Sequence, residues 1–139
     1  MVNQSQIPDS NLANPIDILI VDDVPDNIRL LTRILVKRGF QTRKALNGRM
    51  ALTAIQASKP RLILLDVQMP DMTGYELCHR IKSDPDSLHI PIIFLSANDD
   101  TSEKRKAIHL GGADYISKPF NIEKLVGAIH HQLKLASIS

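Results

Sequence analysis

Five residues of this chain have side chains suited to bond-making or charge handling and fall at equivalent places: Asp22, Asp23, Asp66, Ser96 and Lys118. Asp22-Asp23 follow the apolar run Ile18-Leu19-Ile20-Val21, Asp66 follows Leu62-Ile63-Leu64-Leu65, and Ser96 follows Ile92-Ile93-Phe94-Leu95. Lys118 follows the weaker run Tyr115–Ser117. In open α/β sheets ligands bind beyond the carboxyl ends of the strands, so such runs, read as parallel strands, would bring all five residues to one rim. Carboxylates crowded together repel, and one is driven to protonate unless a cation offsets the charge. Mg²⁺ is the natural cation, since it takes hard oxygen ligands, usually one or two carboxylates with waters and a phosphate. No His or Cys stands on the rim, which argues against zinc. A carboxylate beside a divalent ion can attack phosphorus and form an acyl phosphate. The ion and Lys118 would then offset charge on the transferring oxygens.

The elements that must carry these residues are legible as alternating apolar runs and amphipathic stretches. The three strong runs are continuous rather than alternating, as in strands covered on both faces of a parallel sheet. Gln41–Ala45 and Tyr115–Ser117 are the weaker strand candidates. Between them the pattern predicts five helices. The first starts at Pro25 and runs to about Arg38, with Gly39 as its stop; the second opens at Asn47-Gly48 and ends before Lys59-Pro60. Thr73 or Gly74 starts the third, which ends near Ser83 before the loop Asp84-Pro85-Asp86, and Thr101 to Leu110 form a fourth closed by Gly111-Gly112. The last shows an apolar face of Ile122, Leu125, Val126, Ile129 and Leu133, with Asn121 placed to cap it. A fivefold β-α repeat predicts a doubly wound α/β sandwich with helices on both faces of a parallel sheet. Residues 1–15 read as a loose leader, residues 16–136 as the folded domain and residues 137–139 as a short tail.

Composition narrows the field. At 139 residues, 43% apolar and 23% charged, the chain has the make-up of one ordinary globular domain. Aromatic content of 4% without Trp argues against a base-stacking platform, and a net charge of +2 is too mild to imply direct nucleic-acid binding. Arg29, Arg33 and Lys37, four apart, would share one side of a helix and read as a solvated face, with a docking face for an acidic partner as the alternative. Cys78 is the only cysteine, which excludes an intramolecular disulfide and leaves it as a half-buried helical spacer. Apolar runs of about five residues are far short of a membrane span, and the start lacks a signal-peptide pattern, so a cytoplasmic protein is expected. His79, His89, His109, His130 and His131 form no i, i+4 metal pair and are expected at the surface or in packing.

Four separated motifs, in order, resemble the receiver domains of bacterial two-component response regulators: Val21-Asp22-Asp23; Asp66-Val67-Gln68-Met69-Pro70 with Gly74; Ser96-Ala97; and Gly112-Ala113-Asp114-Tyr115 leading into Lys118-Pro119-Phe120. The resemblance covers roughly Asp17 to Leu133. It implies a flavodoxin-like sheet of strand order 2-1-3-4-5. It makes Asp66 the phosphoacceptor and Mg²⁺ the cofactor, with Mn²⁺ as a substitute. Asp23 and Asp66 would bind the ion directly, Asp22 mainly through water, and Gln68 through its backbone carbonyl. Ser96 would hydrogen-bond the phosphoryl group and Lys118 would pair with it. Tyr115 would turn inward as Ser96 moves, and the Lys118–Pro119 bond would be cis. Implied partners are a sensor histidine kinase or a histidine phosphotransfer domain, and a downstream protein reached through the fourth helix, last strand and last helix. Direct nucleic-acid binding and membrane association are not implied, and a homodimer through the fourth and last helices is left open.

Other readings fit less well. The expected protein catalyses its own phosphorylation and dephosphorylation but turns over no separate substrate, so it is not expected to be an enzyme in the usual sense. A haloacid-dehalogenase-type phosphatase needs a second acid two residues after its nucleophile, where this chain has Gln68. A flavin site would need a phosphate-cradling loop after the first strand, where Val24-Pro25-Asp26 stand instead; a nucleotide hydrolase would need Gly-x4-Gly-Lys-Ser/Thr. A receiver-like binding module independent of phosphorylation is the chief alternative. Such modules usually lose an acid or the lysine, and neither is lost here. Because no effector follows, output is expected by contact. Gln68 and Asn98 stand at positions whose identities influence phosphate lifetime in the family.

Overall fold

Short apolar segments without helix-forming breadth become strands, and their neighbours with a three-to-four residue apolar period become the helices that cover them. In chain order these are β1 (Asp17–Val21), α1 (Pro25–Lys37), β2 (Gln41–Ala45), α2 (Gly48–Ala57), β3 (Leu62–Asp66), α3 (Gly74–Lys82), β4 (Ile92–Ser96), α4 (Thr101–His109), β5 (Asp114–Ser117) and α5 (Ile122–Ile138). This is a computed structural model, which describes residues 15–98, 100–119 and 121–138. The five strands are all parallel, in the order β2-β1-β3-β4-β5, which is the expected 2-1-3-4-5 arrangement.

Alternate residues of β1, β3, β4 and β5 feed two separate apolar layers, and edge strand β2 adds only Ala45 to one of them. Leu19, Val21, Ile63, Leu65, Ile92 and Phe94 face α2, α3 and α4, where Ala51, Ile55, Leu77, Cys78, Ile81 and Ala107 meet them. Ile18, Ile20, Leu62, Leu64, Ile93 and Leu95 face α1 and α5, where Ile28, Leu31, Leu35, Leu125, Ile129 and Leu133 close the other layer. Every residue of β3 and β4 is buried, so burial on both faces explains why their sequences are continuous rather than alternating.

Local chemistry sets the helix ends. Pro25 occupies the first turn of α1, and Gly39 follows it at φ 90, a left-handed conformation that ends the helix at little steric cost. Asn47 accepts from the Met50 N–H, Thr73 and Glu76 form a reciprocal capping box, and Asn121 accepts from the Lys124 N–H. Gly111, at φ 104, turns the chain away from α4.

Three expectations are corrected. Cys78 is fully buried rather than half-buried, and burial pushes its thiol up to about 11. Ile122 is 42% exposed; as the first residue of α5 it lies outside the buried stretch that begins at Leu125. Residues 137 and 138, expected as tail, continue α5. Of the expected leader, residues 1–14 lie outside the described residues, and Pro15 is exposed. Arg29, Arg33 and Lys37 are exposed on α1, and Arg29 pairs with Asp26 one turn earlier. All five histidines are exposed. No described helix is long and apolar enough to cross a membrane.

Candidate functional site

Strand register decides which side chains meet at the rim. Val21 is opposite Leu65, so Asp22 and Asp66 emerge side by side from β1 and β3. Asp66 is opposite Leu95, which is opposite Ile116. Ser96 therefore stands one residue above the level of Asp66, and Lys118 two residues above it. The Lys118 N–H donates to the Ser96 carbonyl at 2.6 Å, which carries the ladder past the last paired residues and delivers the lysine to the rim. The Lys118–Pro119 bond is cis, as expected.

The side chains converge. One carboxylate oxygen from each of Asp22, Asp23 and Asp66 lies within 4.8 Å of the others, the only such group among the described residues able to hold a metal ion. Asp22 is buried, its Oδ1 accepting from the Val24 N–H at 2.9 Å and its Oδ2 from the Asn27 side-chain amide at 3.2 Å. Asp66 is buried and Asp23 exposed, so the cluster opens to solvent on one side. The Lys118 ammonium bridges the buried pair, 3.4 Å from Asp22 Oδ2 and 3.3 Å from Asp66 Oδ1. Ser96 is buried, and its hydroxyl accepts from the Asn98 N–H at 3.1 Å. Gln68, two residues past Asp66, is exposed. Tyr115 is buried, with its hydroxyl donating to the Asn98 carbonyl at 2.7 Å.

All-oxygen, all-acidic donors fit a hard divalent ion such as Mg²⁺ and not a thiolate- or imidazole-loving one. Electrostatics point the same way. Burial holds the Asp66 carboxyl above its ordinary value; Lys118 opposes that rise, while Asp22 and Asp23 add to it. A carboxyl raised in the folded state favours folding below the ordinary carboxylate range, and that contribution is lost as pH rises through the raised value. The metal-free protein is thus weakened near neutral pH by an ionised Asp66. Asp66→Asn is expected to raise its Tm by a few degrees at pH 7, with the gain shrinking as pH falls through the raised value and gone below about 4. Thermal melts of both proteins in chelator across pH would show this; a gain that persists undiminished in acid would contradict it.

The rim also uses residues that sequence reasoning missed. Asn27, in the first turn of α1, braces Asp22, and because Asp22 precedes the helix no helix period links the two. Asp71 accepts from the N–H groups of Gly48 and Arg49, and the first of these contacts holds its carboxyl below the ordinary value. It ties the loop after Asp66 to the start of α2, and nothing in its local sequence marks that partner. Gly74 seals the same loop: its N–H donates to the Val67 carbonyl at 2.8 Å, and a Cβ there would lie 2.4 Å from the Asp66 carbonyl oxygen.

The response regulator receiver domain family matches residues 18–130. Among curated proteins, a probable cyclic di-GMP phosphodiesterase of Vibrio cholerae serotype O1 is 38% identical over 117 residues, 84% of this chain and 26% of that protein. Response regulator PleD of Caulobacter vibrioides is 36% identical over 104 residues, 75% of this chain and 23% of PleD. The chain thus spans about a quarter of the length of these relatives. The solved structure of the Vibrio cholerae chemotaxis protein CheY4 superposes with a TM-score of 0.80 at 27% identity, covering 84% of this chain and 98% of that one. The match runs from β1 into α5 and takes in every element that contributes to the acidic rim, so the chain belongs to the response regulator receiver domains of two-component systems.

Proposed function

We propose that this chain is a phosphorylation switch in which Asp66 accepts a phosphoryl group from a phosphohistidine on a sensor histidine kinase or a histidine phosphotransfer domain, in the cytoplasm. The observation that carries this reading is the Lys118 ammonium set between buried Asp22 and Asp66, with Asp23 completing the acidic cluster. An Asp66 carboxylate oxygen attacks phosphorus, the phosphorus–nitrogen bond of the donor breaks, and the leaving imidazole nitrogen keeps the electron pair and takes a proton. The product is an acyl phosphate on Asp66. Asp22, Asp23, Asp66 and the Gln68 carbonyl would hold Mg²⁺, or Mn²⁺ in its place, which when bound neutralises charge on the phosphoryl oxygens.

The chain's own groups do the rest. Lys118 offers a fixed positive charge to the incoming oxygens, and Ser96 can donate its hydroxyl proton to one of them. Asn98 is held by Ser96 through its N–H and by Tyr115 through its carbonyl, so a move of Ser96 reaches Tyr115 through one residue. That path leads to the surface of α4, β5 and α5, which would meet the downstream protein. The chain catalyses its own phosphorylation and dephosphorylation without turning over a separate substrate.

Incubation with acetyl phosphate, with and without Mg²⁺, followed by intact-mass measurement tests this reading. One phosphoryl adduct is expected, dependent on Mg²⁺ and absent from Asp66→Asn. If no adduct forms, even with phosphorylated histidine kinase as donor, the proposal fails.

A further inference from the structure

Of the nine residues of α4 only Ala107 is buried, so little apolar surface fastens this helix to the molecule. Its carboxyl end is gripped from behind. A Cβ on Gly112 would lie 2.6 Å from Phe94 Cε2 and 2.9 Å from the Ala107 carbonyl oxygen, which leaves no slack there. Its amino end lacks buried residues, and segments with few buried contacts open at low free energy.

What the amino end has instead is Tyr75 of α3. The Tyr75 hydroxyl donates to Glu103 Oε2 at 3.2 Å, and the Lys106 ammonium stands 4.6 Å from the centre of its ring. The ring leans on Phe94, with centroids 5.3 Å apart at 53°. Glu103 and Lys106 are three residues apart, so they share a face of α4 and close on the tyrosine together. Glu103 is free for this because Asp100 caps the helix, accepting from the Ser102 N–H at 2.9 Å. Burial, reinforced by Glu103, raises the Tyr75 hydroxyl well above its ordinary value and keeps it a proton donor. At its other end Tyr75 follows Gly74, which is seated against the backbone of Asp66 and Val67.

We infer that Tyr75 is a positioning residue: it clasps the first turns of α4 to α3 and fixes the resting pose of α4 relative to the loop that follows Asp66. The clasp itself stands on geometry alone; that it tunes a phosphorylation switch rests on the function proposed above. It forms a second link from that loop to α4, which meets the Ser96–Asn98–Tyr115 path where Tyr115 approaches the Tyr75 hydroxyl.

Hydrogen exchange of residues 101–109 in the unphosphorylated protein tests the clasp. Tyr75→Phe removes one hydroxyl and keeps the ring against Phe94 and Lys106. It is expected to speed exchange in α4 by about three- to tenfold, the range for one ordinary net hydrogen bond, while α1 and α5 stay unchanged. Glu103→Ala is expected to do the same, and the double variant to add nothing further. Glu103→Gln keeps an acceptor and is expected to retain most of the protection. Unchanged α4 exchange in Tyr75→Phe, additive effects, or loosening spread equally over all helices would overturn the inference. The same proteins treated with acetyl phosphate and Mg²⁺ separate the two claims. If Asp66 takes up no phosphoryl group while Tyr75→Phe still loosens α4, the switch reading fails and the clasp stands.

Discussion

Replacing Lys118 with alanine is expected to slow phosphoryl uptake from acetyl phosphate by about 10²–10³-fold, the loss typical of removing one preorganised charge-stabilising group. The ammonium is 3.4 Å from Asp22 Oδ2 and 3.3 Å from Asp66 Oδ1, long distances for bonds that hold the resting fold together. It is better placed as a shared counter-charge, able to shift toward a phosphoryl oxygen without leaving the site. Its side chain is 23% exposed, so it is partly shielded from the water that would otherwise screen its charge. Lys118 is also the main influence opposing the raised pKa of Asp66, so its loss leaves the nucleophile protonated to higher pH. The loss should therefore be steeper at mildly acid pH than at pH 8. Lys118→Arg keeps the charge but presents a planar fork, and is expected to fall between the two. A time course by intact mass decides the matter. A Lys118→Ala protein labelled as fast as wild type would remove Lys118 from the chemistry.

Gly74→Ala is the second large effect, and here stability is what changes. The added Cβ would stand 2.4 Å from the Asp66 carbonyl oxygen, 2.9 Å from Val67 Cα and 3.1 Å from the Asp66 carbonyl carbon. All three are backbone atoms beside a fully buried strand, so the neighbour cannot swing aside as a side chain could. Overpacking of this kind costs about 3 kcal/mol, which outweighs the gain of up to about 1 kcal/mol for exchanging a helical glycine for alanine. The only relief is for the loop to shift, and that moves Asp66 away from Asp22 and Lys118. A lower denaturation midpoint and slower phosphoryl uptake are therefore expected together. Gly127→Ala supplies the contrast: a Cβ there meets nothing within 4 Å on α5, and stability should rise by up to about 1 kcal/mol. Equal behaviour of the two variants in urea unfolding would contradict the steric argument.

The rim was legible because parallel strands buried on both faces write themselves as continuous apolar runs. The residue that ends such a run must stand at the sheet's carboxyl edge, which is how Asp22, Asp66 and Ser96 could be placed together before any coordinates. Caps were legible for a similar reason, since Asn47, Thr73 and Asn121 act within a few residues of themselves. Contacts between elements were not. Tyr75 and Glu103 are 28 residues apart and Asp71 and Gly48 are 23 apart, and no periodicity links such pairs. Helix α4, almost wholly polar, carries no strong apolar stripe to say which face turns inward, so the Glu103 and Lys106 pair was invisible. Lys82 is a further case. Its ammonium donates to the Leu88 and Ile90 carbonyls, and burial lowers its pKa, although a lysine at a helix end reads as solvent-facing. Cys78 was misjudged because its position on the helix gives the facing direction but not the depth of the layer above it.

The most direct measurement is the location of the phosphoryl group itself. Protein treated with acetyl phosphate and Mg²⁺, then with borohydride, converts an aspartyl phosphate to homoserine at the modified position, which peptide sequencing by mass spectrometry reads. Homoserine at position 66 and at neither 22 nor 23 is the expected result. Homoserine at position 22 or 23, or a phosphoryl adduct that borohydride leaves intact because it sits on a hydroxyl or a histidine, would contradict the assignment of Asp66 as the acceptor.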